Sequence, residues 1–172
     1  MFKLRDQVAR LEAQLREAQG RAAEPGDLAQ GEDLYAVDYW YETQKPKISK
    51  AGSTYWVKGE EGWGQAWLTW NAMFKLIAPV LINGKGEFAV LQRLNDVLRG
   101  HAEDLVGTSH SGQRLESVKI SSESVDQIKM QFRALGLIDV TRDGQKADLT
   151  LTDAGDAYAN VLFALRRGEE GM

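Results

Sequence analysis

Apolar residues set the rhythm of the chain, and the rhythm changes at recognisable points. Val125, Ile128, Phe132 and Leu135 recur at helical spacing, which places them on one buried face. Ser121 or Ser122 supplies an acceptor for the free amides at the helix start, and Glu123 puts negative charge in the first turn. Gly136 suits the left-handed position that ends a helix, with Leu137 placed to pack back on the last turn. The period then drops to two. Leu137–Thr141 and Ala147–Thr152 alternate apolar and polar residues as half-buried strands do, and Asp143-Gly144 in the Arg142–Lys146 connection is a strong hairpin pair. Thr152 caps a final helix with Ala157, Tyr158, Val161, Leu162 and Leu165 as its apolar stripe, and Arg166 and Arg167 suit the negative end of its dipole.

Upstream, Thr69-Trp70-Asn71 starts a helix through Ile82 that buries Trp70, Phe74, Ile77 and Leu81, with Pro79 expected to kink or break it. Asn83-Gly84-Lys85-Gly86 is a stop. A second helix covers Glu87–Leu98 and extends toward Val106, with Phe88, Leu91, Leu94, Val97 and Leu98 as its buried positions. Gly107–Gln113 reads as a loop and Ser117–Ile120 as a short strand opening a wing sheet. Two helices, a strand, a helix, a hairpin and a last helix are the order of a winged helix-turn-helix, assigned here to residues 69–168. A generic helix–hairpin–helix packing unit would give the same pattern in the second half.

Leu4, Val8, Leu11, Leu15 and Ala18 alternate spacings of four and three, the seam of a coiled coil over residues 1–19. So short a helix is marginal alone in water. Self-association into a homodimer through Leu4, Val8, Leu11 and Leu15 is therefore expected; a single helix folded back on the body is the alternative. The seam reaches Met1, which fits a helix continuing from an upstream domain. Residues 20–33, with Pro25-Gly26 and Gly31, have linker composition.

Residues 34–68 form an aromatic-rich strand region. All five tryptophans and four of the five tyrosines lie between Leu34 and Trp70. Leu34–Thr43 and Thr54–Lys58 have strand composition, with Tyr35, Val37, Tyr39 and Tyr41 on one face. Gln44–Ser53 reads as a basic loop carrying Lys45, Lys47 and Lys50, and Gly59-Glu60-Glu61-Gly62 as a turn. Aromatic residues with polar tips serve both core edges and binding surfaces. One reading packs a small sheet on the helical body; the other makes Tyr39, Trp40, Tyr41, Trp56 and Trp63 a surface for a peptide or small ligand.

Composition narrows the chemistry. Hydrophobic residues at 43% and charged ones at 27% are those of a soluble globular protein, and cysteine is absent. The chain thus has no disulfide framework or thiolate site, which fits the cytoplasm. The longest apolar run, Leu76–Ile82, is too short to span a bilayer. Net charge is −4, against general affinity for nucleic acid or anionic membrane. From Gln113 to Thr150 six basic residues face six acidic ones; Lys129, Arg133, Arg142 and Lys146 are the candidate nucleic-acid contacts, without the excess of positive charge that DNA readers concentrate. His101, Glu103, Asp104 and His110 match no zinc spacing. Ser109 and Ser111 read as loop residues, and Asn83–Gly86 lacks the ending of a phosphate-binding loop. No catalytic residue, metal or cofactor is assigned.

The runs Leu4–Ala18, Leu28–Asp33, Thr69–Phe74, Ile77-Ala78-Pro79, Ile128–Ile138 and Leu149–Gly155 give the chain a resemblance to the C-terminal region of bacterial multidomain proteins with an N-terminal TIR-like domain of unknown function. That resemblance implies a coiled coil, a strand-rich piece and a winged-helix-like tail, in a setting of bacterial stress or anti-phage signalling. The expectation is an α+β, non-catalytic sensor, scaffold or oligomerisation module of such a protein, with an unknown protein or small ligand as partner. The alternative is a winged-helix DNA-binding transcriptional regulator.

Overall fold

In the computed structural model, residues 28–84, 86–143 and 146–164 are described. The heptad residues Leu4, Val8, Leu11 and Leu15 lie outside them, as do Lys85, the hairpin tip at 144–145, and Leu165, Arg166 and Arg167.

The chain is α+β, with two antiparallel sheets and four helices among the described residues. Strands β1 (Leu34–Ile48) and β2 (Thr54–Thr69) form one long hairpin, and β3 (Arg114–Ile120) pairs with the other edge of β1, giving the order β2-β1-β3. Alternation along β1 sends Val37, Tyr39, Tyr41 and Thr43 inward, and Ala66 and Leu68 join them from β2. Gly62 and Gly64 pair with Tyr41 and Tyr39, and the phenol rings lie directly over them. A Cβ on Gly64 would come within 2.4 Å of the Tyr39 ring, and one on Gly62 within 2.9 Å of the Tyr41 hydroxyl.

That packing explains a difference from expectation. Gly59–Gly62 is no turn: β2 runs straight through it. The pairing shifts there, so that Gly59 and Glu60 both stand opposite Thr43, a β-bulge. The Thr43 hydroxyl accepts the Glu60 N–H at 2.7 Å, and Gln113 Oε1 lies 3.2 Å from the same nitrogen. The basic loop is also shorter than its composition implied. Lys45 and Lys47 are in β1, and the turn itself closes with the Ser49 N–H on the Ser53 carbonyl and Gly52 at φ 82°.

Helix α1 (Trp70–Ile82) starts where β2 ends, with the Thr69 hydroxyl accepting the Ala72 N–H at 3.0 Å. It buries Trp70, Phe74, Ile77 and Leu81 as the spacing predicts. Pro79 neither ends nor breaks it: one bond to the carbonyl a turn back is forgone, and the Pro79 carbonyl accepts from the Asn83 side chain at 2.7 Å. Helix α2 (Glu87–Ser109) is longer than predicted, and its buried line is Val90, Leu94, Leu98, Ala102 and Val106. Phe88 is 73% exposed. Two apolar stripes overlap on α2, sharing Leu94 and Leu98, and the one through Val90, Ala102 and Val106 is the buried one.

Helix α3 (Ser122–Ala134) is capped by Ser121, whose hydroxyl accepts the Ser124 N–H at 3.0 Å. Gly136 takes φ 70° and the Leu137 N–H returns to the Phe132 carbonyl at 2.9 Å, the predicted helix stop. Strands β4 (Ile138–Asp143) and β5 (Lys146–Leu151) form the predicted hairpin, with Asp143 opposite Lys146. They stand as a separate two-stranded sheet. The strand expected to open a wing sheet therefore belongs elsewhere: β3 is held by β1, from Tyr39–Ile120 to Gln44–Arg114.

Helix α4 (Asp153–Phe163) is capped by Thr152, whose hydroxyl accepts the Gly155 N–H at 2.9 Å. It turns Gly155 and Ala159 inward, half-buries Tyr158 and Leu162, and leaves Val161 exposed. The predicted stripe is thus rotated. Gly155 sets that rotation because it lies against the backbone of Leu137, so the helix meets its neighbour at its smallest residues. One aromatic cluster ties β1 to α1, α3 and α4. Trp70 meets Phe132 edge-on at 5.6 Å, Phe74 contacts Phe132 and Tyr158, and Tyr35 stacks on Trp70 at 5.1 Å.

Candidate recognition surface

Because side chains alternate across a sheet, burying the odd-numbered positions of β1 leaves the even-numbered ones on the opposite face. No element covers that face among the described residues to the extent of burying its tryptophans. Trp40 pairs directly with Trp63 on one side and Lys119 on the other, Ala36 pairs with Trp67, and Asp38 with Gln65. Trp63 is 66% exposed and Trp67 60%. Two of the largest apolar side chains in the chain thus stand in solvent on one face of β2, with Gln65 between them.

Polar pairs separate the aromatic rows. Gln65 Nε2 donates to Asp38 Oδ1 at 2.9 Å between Trp67 and Trp63. Beyond Trp63, Lys58 bridges Glu61 at 2.8 Å and Glu42 at 3.1 Å; its hydrogen bonds to Glu61 and Glu42 raise the pKa of the ammonium above its ordinary value. Past the bulge the Arg114 guanidinium lies 4.1 Å over the Trp56 ring and donates to Gln44 Oε1, while Gln44 Nε2 donates to Glu116. The result is a rigid stripe of aromatic and paired charged groups, and its own pairs already satisfy the charges between the rings.

The residues named from sequence divide by parity. Trp40, Trp56 and Trp63 lie on this face. Tyr39 and Tyr41 do not: both are buried on the inner side, at 1% and 7% exposure, and Tyr41 Oη lies 3.0 Å from His110 Nε2. Trp67 belongs to the surface and was missed. The period-two pattern contained this answer, since it had already put Tyr39 and Tyr41 with Val37, the most apolar face of the strand.

Of the four candidate nucleic-acid contacts, Lys129 and Arg133 have described side chains. Lys129 Nζ lies 2.6 Å from Glu87 and 3.0 Å from Asp126. Partial burial works against its charge, but the hydrogen bonds to Glu87 and Asp126 outweigh it and hold the pKa above the ordinary range. Arg133 is exposed near the end of α3. Arg142 and Lys146 are strand residues of the hairpin whose side chains lie outside the described ones. His101 is exposed on α2 and His110 follows that helix, bonded to Tyr41. Among the described residues no group of three His, Asp or Glu side chains could hold a metal ion, and no helix is long and apolar enough to cross a membrane.

No family model matches the chain, and no curated protein or solved structure is significantly similar to it.

Proposed function

We propose that the chain is a non-catalytic module of a bacterial signalling or anti-phage defence protein, a sensor or scaffold that recognises a protein partner through the open face of β1-β2-β3. The observation that carries this reading is the row of Trp40, Trp63 and Trp67 on one uncovered sheet face. Tryptophan is enriched at the energetic centres of protein interfaces, and exposed contiguous apolar area marks interaction sites. The flanking paired charges supply the polar rim that such interfaces carry. The bacterial setting rests on the resemblance of the residue runs quoted above, and Trp70–Phe163 is read as a winged-helix-like body with the β4–β5 hairpin as its wing.

A photoreactive side chain placed at Gln65, between Trp63 and Trp67, tests the recognition surface in living bacterial cells. Discrete protein adducts that vanish in the Trp63→Ala/Trp67→Ala variant are expected. A chain that folds and crosslinks to nothing, or crosslinks equally without the tryptophans, removes the reading. The DNA-regulator alternative draws on Arg133, Arg142 and Lys146, but Lys129 is already committed to two carboxylates, so protein recognition is preferred.

A further inference from the structure

The open sheet face repeats one arrangement twice. On β1 Gln44 stands opposite Lys58, so Trp56 is its diagonal neighbour on β2. Asp38 stands opposite Gln65, which makes Trp63 and Trp67 its diagonal neighbours, one on each side. Diagonal neighbours on one face lie about 7–8 Å apart, within reach of aromatic and long side chains. Each unit thus combines a side-chain oxygen on β1 with an indole two places away on β2.

In the first unit Arg114 joins the two. Its guanidinium lies 4.1 Å over the Trp56 ring, and Nε and Nη2 donate to Gln44 Oε1 at 3.0 and 2.7 Å. The plane of the group meets the ring while its edge meets the oxygen. Arg114 is in position because β3 pairs it with Gln44. At the second unit β3 supplies no such donor. The strand ends at Ile120, opposite Tyr39 and one place short of Asp38, and the chain then enters α3. Lys119, opposite Trp40, forms no ion pair with Asp38.

Asp38 is the stronger acceptor of the two units, because it is ionised. Gln65 Nε2 satisfies Oδ1 at 2.9 Å, but an amide carries no charge to cancel the carboxylate, and Oδ2 has no partner among the described residues. The side chain is exposed, as are Trp63 and Trp67. An ammonium acts there as a point charge, whereas a guanidinium can stack on a ring and donate to the carboxylate at once. We infer that this unit is the recognition site for an arginine side chain of the protein partner, stacked on Trp63 or Trp67 and donating to Asp38 Oδ2. The inference rests on the protein-recognition reading and states what the partner presents to that face.

Acetyl-Leu-Arg-Leu-amide and its citrulline counterpart are the probes, since citrulline keeps the shape of arginine and lacks its charge. Both are titrated into the ¹⁵N-labelled full chain and followed through the indole N–H resonances. The arginine peptide is expected to move the Trp63 and Trp67 resonances saturably and to bind about tenfold more tightly than the citrulline peptide. The Trp56 resonance should stay in place, because Arg114 already covers that ring. Asp38→Asn keeps the size and the acceptor for Gln65. It should weaken the arginine peptide about fivefold and leave the citrulline peptide within about twofold. Equal binding of the two peptides overturns the inference, as does an arginine peptide that moves neither resonance or ignores Asp38→Asn. Should the photoreactive side chain at position 65 still give its adducts in cells, any of those results would leave protein recognition standing and remove only the arginine.

Discussion

A methyl group added at Gly155 would sit 1.9 Å from the Leu137 carbonyl oxygen, and the neighbour is backbone, which has no rotamer to swing away. One added at Gly64 would meet the Tyr39 ring at 2.4 Å, a side chain buried too completely to swing aside. Gly100, inside α2, would meet nothing within 4 Å. The three alanine variants should therefore rank in that order in urea unfolding. Gly155→Ala should lose more than about 3 kcal/mol and Gly64→Ala about 1–3 kcal/mol. Gly100→Ala should gain about 0.5–1 kcal/mol, since glycine in a helix interior is unfavourable. Tyr39 carries a second expectation. Burial, then the neighbouring Tyr41, raises its phenol above the ordinary 10.0. The neutral form is thus the one the fold favours, so its contribution is complete below the ordinary value and declines as pH climbs through the raised one. Stability followed between about pH 9 and 11 should fall less steeply in Tyr39→Phe.

At the scale of elements, the bulge in β2 is bridged by the Thr43 hydroxyl, its nearer acceptor. Thr43→Val keeps the shape and removes the acceptor for the Glu60 N–H, at an expected cost of about 1–3 kcal/mol by urea unfolding with an unchanged m value. Helix α3 carries a different test. With Lys129 held by Glu87 and Asp126, no complex with random duplex is expected in a gel shift even at low salt. A complex that weakens steeply as salt rises would favour the DNA reading instead. Elements whose signals are local were legible in the sequence: α1 and α3 from their spacing, three helix starts from Thr69, Ser121 and Thr152, the β4–β5 pairing from its alternation. What was missed depends on contacts distant in sequence. Gly59 and Gly62 look like a turn until Thr43 and Tyr41 are placed over them. Nothing local tells Ser117–Ile120 that its partner is β1. The recognition face failed in part for the same reason, since choosing which side of β1 is covered requires knowing where the helices lie.

For the whole molecule, recognition and self-association are read as separable. The heptad residues Leu4, Val8, Leu11 and Leu15 are the proposed dimer seam, and the tryptophans lie on the sheet instead. Sedimentation equilibrium of the full chain is expected to give a dimer, and Leu4→Asp/Leu11→Asp a monomer with an unchanged near-ultraviolet tryptophan dichroism, since all five tryptophans lie between residues 40 and 70. Trp63→Ala/Trp67→Ala should remain dimeric. If the tryptophan variant is the one that dissociates, the exposed face is where the copies meet and the two roles exchange places.

The pairing of β3 with β1 also bears on how the chain is made. When Leu34–Ile48 leaves the ribosome its hairpin partner follows at once, but the strand that takes its other edge comes only after two helices have been synthesised. For that interval a long aromatic ribbon travels with one side unpaired, the condition under which nascent strands find the wrong neighbour. Ending the chain anywhere before Arg114 would make the interval permanent, so this protein is best produced and dissected with its first sheet whole.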